Sequence, residues 1–310
     1  MKKIIFLFPG QGSQKVGMGI DFVENFPAAK IIFEKSSYRL KKDILELCAT
    51  GPEEALKDTR NTQPSIVTVS SAIFEVVRNE FNIIPDGVAG HSVGEYSALY
   101  AAGVLAFEDT VFLVNKRAEF MQDSADAFGE GGMAAVIGMD DEKVIEICEK
   151  FGDKKVQAAN FNSPGQVVIS GEKNAITKII PVLKENGARM VKELAVSGPW
   201  HSKYMEQAKT NLAGVVDEFK FNNPVCDYFP NVTANRERVG DEIKRLLIEQ
   251  LTMPVLWTES MTNAAKLGYD LFVELGPGKV LTGLLKRINP EIQSFNIETI
   301  QDLEQFKGLL

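Results

Sequence analysis

Gly90-His91-Ser92-Val93-Gly94 sets a serine between two glycines. The segment before it, residues 86–90, reads as a short buried strand, and the segment after it, 92–102, reads as a helix ended by Gly103. A serine on a strand-to-helix turn occupies a nucleophile elbow, its hydroxyl lifted above the end of the sheet. The competing reading is a tight glycine turn with a helix-capping serine. A serine hydroxyl needs a base within hydrogen-bond reach to attack at neutral pH, most often an imidazole. The chain has only two histidines. His91 adjoins Ser92, and a tight turn sends neighbouring side chains in different directions, which leaves His201 as the candidate base, or as a hydrogen-bonded structural histidine after Pro199.

Acyl transfer also needs donors aimed at a tetrahedral oxyanion, usually including the backbone N–H after the nucleophile, here Val93. A second donor is available in the loop Phe8-Pro9-Gly10-Gln11-Gly12-Ser13-Gln14, which should leave the first strand at the same sheet edge. Gln11, between two glycines, can bring its N–H to the elbow; a plain turn is the alternative. The loop is not a nucleotide cradle, because Gly10, Gly12 and Gly17 miss the GxGxxG spacing and Met18 stands where a P-loop needs lysine. Arg117 lies one helical turn from Leu113 and Met121, among apolar residues of a helix at 107–124. Its guanidinium suits a carboxylate held bidentately, and an arginine at the edge of a solvated face is an equally good reading of the spacing.

The elements that must position these residues follow from periodicity. The apolar run Ile4–Phe8 reads as a buried first strand, cut short of a signal-peptide core by Pro9-Gly10. Two or three helical segments reach to about Leu56, and a helix spans 64–81 with Pro64 in its first turn. Residues 132–198 alternate as strand 133–139, helix 141–151, strand 155–161, strand 166–170, helix 173–186 and strand 188–197, the β-α-β-β-α-β order of ferredoxin-like domains. Helix 201–218, strand 224–230, helices 241–251 and 255–267, strand 269–274 and helix 279–288 complete the chain. The expected class is α/β, a mostly parallel sheet formed by 1–131 and 199–310 and interrupted by the subdomain 132–198.

Composition narrows the function. The 310 residues carry a net charge of −8, with 45% hydrophobic and 25% charged residues, which argues against non-specific nucleic-acid binding. Cys48, Cys148 and Cys226 are widely spaced, so neither a disulfide framework nor a zinc site is expected. No stretch approaches the ~20 apolar residues of a membrane span, and a cytoplasmic, freestanding protein is expected.

The motifs taken together resemble the malonyl-CoA:acyl carrier protein transacylases of bacterial fatty-acid synthesis over nearly the whole chain. The resemblance rests on Phe8–Gln14, Gly90-His91-Ser92-Val93-Gly94-Glu95-Tyr96, Asn160-Phe161-Asn162-Ser163-Pro164-Gly165-Gln166, Gly198-Pro199-Trp200-His201-Ser202 and Glu274-Leu275-Gly276-Pro277-Gly278. It implies an α/β-hydrolase-like core with a ferredoxin-like insert. It makes Ser92 the nucleophile, His201 the base, Gln11 and Val93 the oxyanion hole, and Arg117 the clamp for the malonyl carboxylate. It also implies that a backbone carbonyl at Gln250 orients the histidine, and that Gln63, Met121 and Asn160 line the pocket. The implied substrates are malonyl-CoA and acyl carrier protein, with no cofactor and no metal, and a monomer is expected. Trp200 and Val93 fit the malonyl rather than the methylmalonyl pattern, although Trp200 is bulkier than the side chain usual there. Docking of an acidic carrier would need a local basic patch, for which Lys286-Arg287 and Arg189 with Lys192 are candidates against a reading as ordinary solvated surface. A serine hydrolase with the same elbow, and a catalytically silent acyl-binding module, are the alternatives.

Overall fold

The first strand, β1 (Ile4–Phe8), is buried at all five residues, as a strand covered by helices on both faces must be. The computed structural model describes residues 2–310. Around β1 lie β2 (Gly87–Gly90), β7 (Asp227–Phe229), β8 (Leu271–Leu275) and β9 (Ser294–Ile297) in the order β7-β2-β1-β8-β9, every pairing parallel. Register is what matters for the site. Phe8 pairs with Gly90, so the Gln11 loop and the Ser92 turn leave the sheet side by side at its carboxyl edge. The His91 N–H extends that pairing by donating to the Phe8 carbonyl at 2.9 Å.

The second sheet, order β4-β5-β3-β6, comprises β3 (Gly131–Ile137), β4 (Val156–Ser163), β5 (Gln166–Glu172) and β6 (Met190–Glu193), all antiparallel. Alternation along its strands divides its two faces. Ala134, Val136, Val167 and Ile169 pack on the helices Asp141–Lys150 and Lys173–Glu185, whereas Met133 and Val168 face the core of the parallel sheet. Backbone bonds from Val255 to Ala159 (2.8 Å) and from Phe161 to Val255 (2.9 Å) stitch the two sheets' surroundings together.

Several elements differ from the sequence expectation. Four helices, Ile20–Asn25, Pro27–Leu40, Ile44–Thr50 and Glu53–Lys57, fill the region assigned two or three. The helix expected from Pro64 starts at Thr59, where the Asp58 side chain caps the Arg60 N–H at 2.9 Å. Pro64 therefore sits inside the helix. Its missing N–H would leave the Arg60 carbonyl unpaired, and Lys42 Nζ donates to that oxygen at 3.4 Å. His201 lies outside any helix, at φ 54°; a short turn Lys203–Met205 precedes the helix Glu206–Val216. Strand β6 is shorter than 188–197, and β9 with the helix Ile300–Lys307 was not anticipated. Among the described residues no helix is long and apolar enough to cross a membrane.

The elbow requires glycine at two places because helix Gly94–Ala101 and β1 meet with backbone against backbone. A Cβ on Gly94 would stand 2.1 Å from the Phe8 carbonyl oxygen, and one on Gly90 would stand 2.0 Å from the Gly94 carbonyl carbon. Gly94→Ala should therefore cost about 3 kcal/mol or more in stability. Gly214→Ala, on an exposed helical turn with open space around it, should add up to ~1 kcal/mol. Paired denaturant titrations test both, and a Gly94→Ala protein as stable as the parent would refute the close-approach account.

Candidate active site

Ser92 closes the turn between β2 and helix Gly94–Ala101 with φ 51°, a left-handed conformation that serine rarely holds. Asn231, just beyond the end of β7, pins it: its Oδ1 accepts the Ser92 N–H at 2.7 Å and its Nδ2 donates to the Gly90 carbonyl at 2.7 Å. The hydroxyl points at His201. Ser92 Oγ lies 2.7 Å from His201 Nε2 although 109 positions separate the two residues. His201 Nδ1 lies 2.8 Å from the Gln250 carbonyl, which can only accept, so that ring nitrogen carries the proton and Nε2 presents its lone pair to the serine. The carbonyl is free because helix Gly240–Glu249 has just ended. Burial, and secondarily the charge of Arg117, push the His201 pKa down to about 3. The imidazole is neutral across the physiological range.

Arg117 emerges from the middle of helix Phe107–Phe128 and is 1% exposed, which excludes the solvated-edge reading. Its Nη1 donates to Gln63 Oε1 at 2.6 Å, and its Nη2 donates to Gln250 Oε1 at 2.9 Å and reaches Ser92 Oγ at 3.3 Å. The Tyr96 ring lies 5.9 Å from the guanidinium carbon. Among the described residues no carboxylate forms an ion pair with Arg117. A buried guanidinium held only by neutral acceptors and aimed past a serine oxygen is a socket for an anion.

The cavity in front of Ser92 holds about 170 Å³. Gln11, Gln63, Val93, Arg117, Met121 and His201 line it from the parallel-sheet side, together with Trp200, while Asn160 and Met133 close it from the antiparallel sheet. Among the described residues neither the Gln11 nor the Val93 N–H donates to a protein acceptor, so both are available to a ligand. The Gln11 side chain is turned away, its Oε1 accepting from Thr59 Oγ1 at 2.9 Å. His91 also points elsewhere, with Nε2 2.8 Å from Asn162 Oδ1 and its ring edge-on to Trp257.

All nine site residues expected from the sequence gather at this crevice. Sequence reading missed Asn231 and Glu95. Asn231 could have been flagged as a polar residue directly after a strand at the carboxyl edge of the sheet. Glu95 directly follows the elbow motif, and nothing in its spacing indicates that it is buried.

Comparison with known proteins agrees with this geometry. A family profile described as "Acyl transferase domain" matches residues 5–300. The malonyl CoA-acyl carrier protein transacylase of Bacillus subtilis (strain 168) is 42% identical over 306 residues, covering 98% of this chain and 96% of the relative. The crystal structure of an acyl carrier protein S-malonyltransferase from Vibrio cholerae superposes with a TM-score of 0.95 at 40% identity, covering 98% of this chain and 99% of that one. A malonyl-transacylase solved in complex with a type II polyketide synthase acyl-carrier protein superposes with a TM-score of 0.94 at 37% identity, covering 98% of each chain. With its elbow serine, paired imidazole and buried guanidinium, the chain belongs to the acyl transferase family, in the branch of the malonyl CoA-acyl carrier protein transacylases.

Proposed function

We propose that this protein transfers the malonyl group of malonyl-CoA to the phosphopantetheine thiol of acyl carrier protein through a malonyl-serine intermediate, supplying fatty-acid chain extension. The observation that carries the reading is Arg117, a buried guanidinium without a carboxylate partner, 3.3 Å from the Ser92 oxygen. A malonyl group bound as a serine ester ends in a carboxylate that this cation can hold.

In the first half-reaction His201 Nε2 takes the Ser92 proton as Oγ attacks the thioester carbonyl. The resulting oxyanion is held by the N–H groups of Val93 and Gln11. Collapse breaks the C–S bond, and the imidazolium gives its proton to the departing CoA sulfur. In the second half the carrier thiol passes its proton to Nε2 and attacks the ester carbonyl, and Ser92 Oγ leaves with the proton. Gln250 keeps the imidazole in the tautomer both halves need. Gln63 steadies Arg117, and Met121 and Asn160 shape the acyl pocket. The cycle needs no cofactor or metal.

The order β3-helix-β4-β5-helix-β6 and the antiparallel arrangement β4-β5-β3-β6 support reading residues 132–198 as a ferredoxin-like subdomain set into an α/β-hydrolase-like domain of 1–131 and 199–310. We read the protein as a cytoplasmic monomer that docks its acidic carrier on exposed cations. Lys286 and Arg287 are exposed, and Arg287 bonds Gln166 at the seam of the two sheets, which favours that pair over Arg189 and Lys192.

Arg117→Ala should lower kcat/KM for malonyl transfer by about 10² or more, since the carboxylate would then be buried unpaired, with a much smaller effect on acetyl transfer. Parallel assays with the two CoA thioesters check it, and equal losses would refute the clamp. A serine hydrolase would release free CoA from malonyl-CoA without carrier protein, whereas the transferase should turn over only when the carrier is added. Because protonation of His201 is displaced far below the ordinary histidine range, the acid limb of activity should also be displaced. Labelling of Ser92 by a fluorophosphonate should keep its rate as pH falls from 8 to about 5, where an ordinary histidine would already be mostly charged. A half-maximal rate near pH 6.5 would show that the imidazole is not shielded.

A further inference from the structure

Among the described residues, Glu95 is the carboxyl group sealed beneath the site, and it has no part in the cycle above. It is 1% exposed, in the first turn of helix Gly94–Ala101. One oxygen accepts the Asn231 backbone N–H and the other accepts Gln250 Nε2, each at 2.5 Å. Both oxygens thus face donors, and a carboxyl group meets both because each of its oxygens keeps an acceptor lone pair whichever protonation state it holds, whereas an amide would offer only one such oxygen. Burial pushes its pKa up to about 8 even against those two donors and the nearby charge of Arg117, so the carboxyl keeps its proton through much of the neutral range while its oxygens go on accepting.

Gln250 is the link to the acyl site. Its amide Nε2 is surrounded by acceptors: Glu95 Oε2, the Ser92 carbonyl at 3.0 Å and Asn231 Oδ1 at 3.4 Å. Its Oε1 takes Arg117 Nη2 at 2.9 Å. An amide can be flipped at almost no steric cost, so its polarity is decided by its neighbours. Arg117 can only donate, and a flipped Gln250 would set an NH2 against the guanidinium and an oxygen against the Glu95 carboxylate.

We propose that Glu95 is a positioning residue for acyl selection: it fixes the polarity of the Gln250 amide, and Gln250 in turn holds the Arg117 guanidinium aimed at the space in front of Ser92. This rests on the reading of Arg117 as the malonyl clamp. Replacing Glu95 by glutamine keeps its shape but gives it one acceptor where two donors must be met, so Gln250 loses its fixed orientation.

The test measures kcat and KM with malonyl-CoA and acetyl-CoA, acyl carrier protein as acceptor, for the wild type, Glu95→Gln, Glu95→Asp and Arg117→Ala. For Glu95→Gln the ratio of malonyl to acetyl kcat/KM should fall at least about tenfold, mainly through a raised KM for malonyl-CoA. Glu95→Asp, which keeps two acceptor oxygens, should fall between that variant and the wild type. Equal losses for both acyl groups, or an unchanged ratio, overturn the proposal. Failure of both variants to fold overturns it as well, since Glu95 would then serve stability. A wild type without malonyl preference, or an Arg117→Ala protein that keeps it, removes the clamp reading itself, an outcome read without any Glu95 variant.

Discussion

A cation sealed from water has to be compensated, and the compensation chosen for Arg117 organises everything around it. Moving a guanidinium out of water costs several kcal/mol even after relaxation, and a carboxylate in contact would be the ordinary remedy. Here the partners are neutral: Gln63 Oε1, Gln250 Oε1 and the Ser92 hydroxyl, with the Nε atom lacking any partner. The charge is therefore held in place and left unsatisfied in the direction of the cavity. The same field lowers the His201 pKa further than burial alone, so that on the proposed reading one buried ion both attracts an anionic acyl group and keeps the imidazole able to accept a proton.

That arrangement needs a serine oxygen within reach of both groups, and the backbone is bent to supply it. A left-handed serine costs on the order of 1–3 kcal/mol. The cost is met by contacts from the two strands that flank β2. β1 accepts the His91 N–H, the close approach of Gly94 to Phe8 locks the helix against the sheet, and Asn231 after β7 holds both sides of the turn. The parallel sheet brings these groups to one edge by register, since Phe8 pairs with Gly90 and Ala89 pairs with Phe229. The antiparallel sheet contributes only walls, through the residues of its strands that alternate away from its own helices.

Much of this was readable in the chain because it depends on local pattern. The elbow is a five-residue string between a strand and a helix, and with only two histidines present the choice of imidazole was short. The strand order of 132–198 follows from short-range periodicity. What was not readable depends on burial over long separations. The spacing of Arg117 fits a solvated edge as well as a core position, and only the packing of its helix decides. Asn231 and Glu95 act through contacts more than 130 positions apart. The start of the Thr59 helix was misplaced because proline in a first turn is the commoner arrangement. Here a lysine from a different helix connection supplies the donor that the proline lacks.

The orienting group on His201 is best understood against the same buried cation. Many serine enzymes place a carboxylate on the far side of the imidazole, which both fixes the tautomer and stabilises the imidazolium. At this site such a carboxylate would occupy the position of the Gln250 carbonyl, on a residue whose side chain already touches Arg117. A negative charge there would act on the guanidinium through the low-dielectric interior and compete with any acyl carboxylate for the same cation. A backbone carbonyl fixes the tautomer equally well and carries no net charge. The cost is a weaker stabilisation of the imidazolium, tolerable where the leaving group is a thiolate, which needs far less help from a proton than an amine does. Substituting a carbonyl for the third carboxylate is, on the proposed reading, the condition under which one crevice can hold both a serine nucleophile and a clamp for a negatively charged substrate.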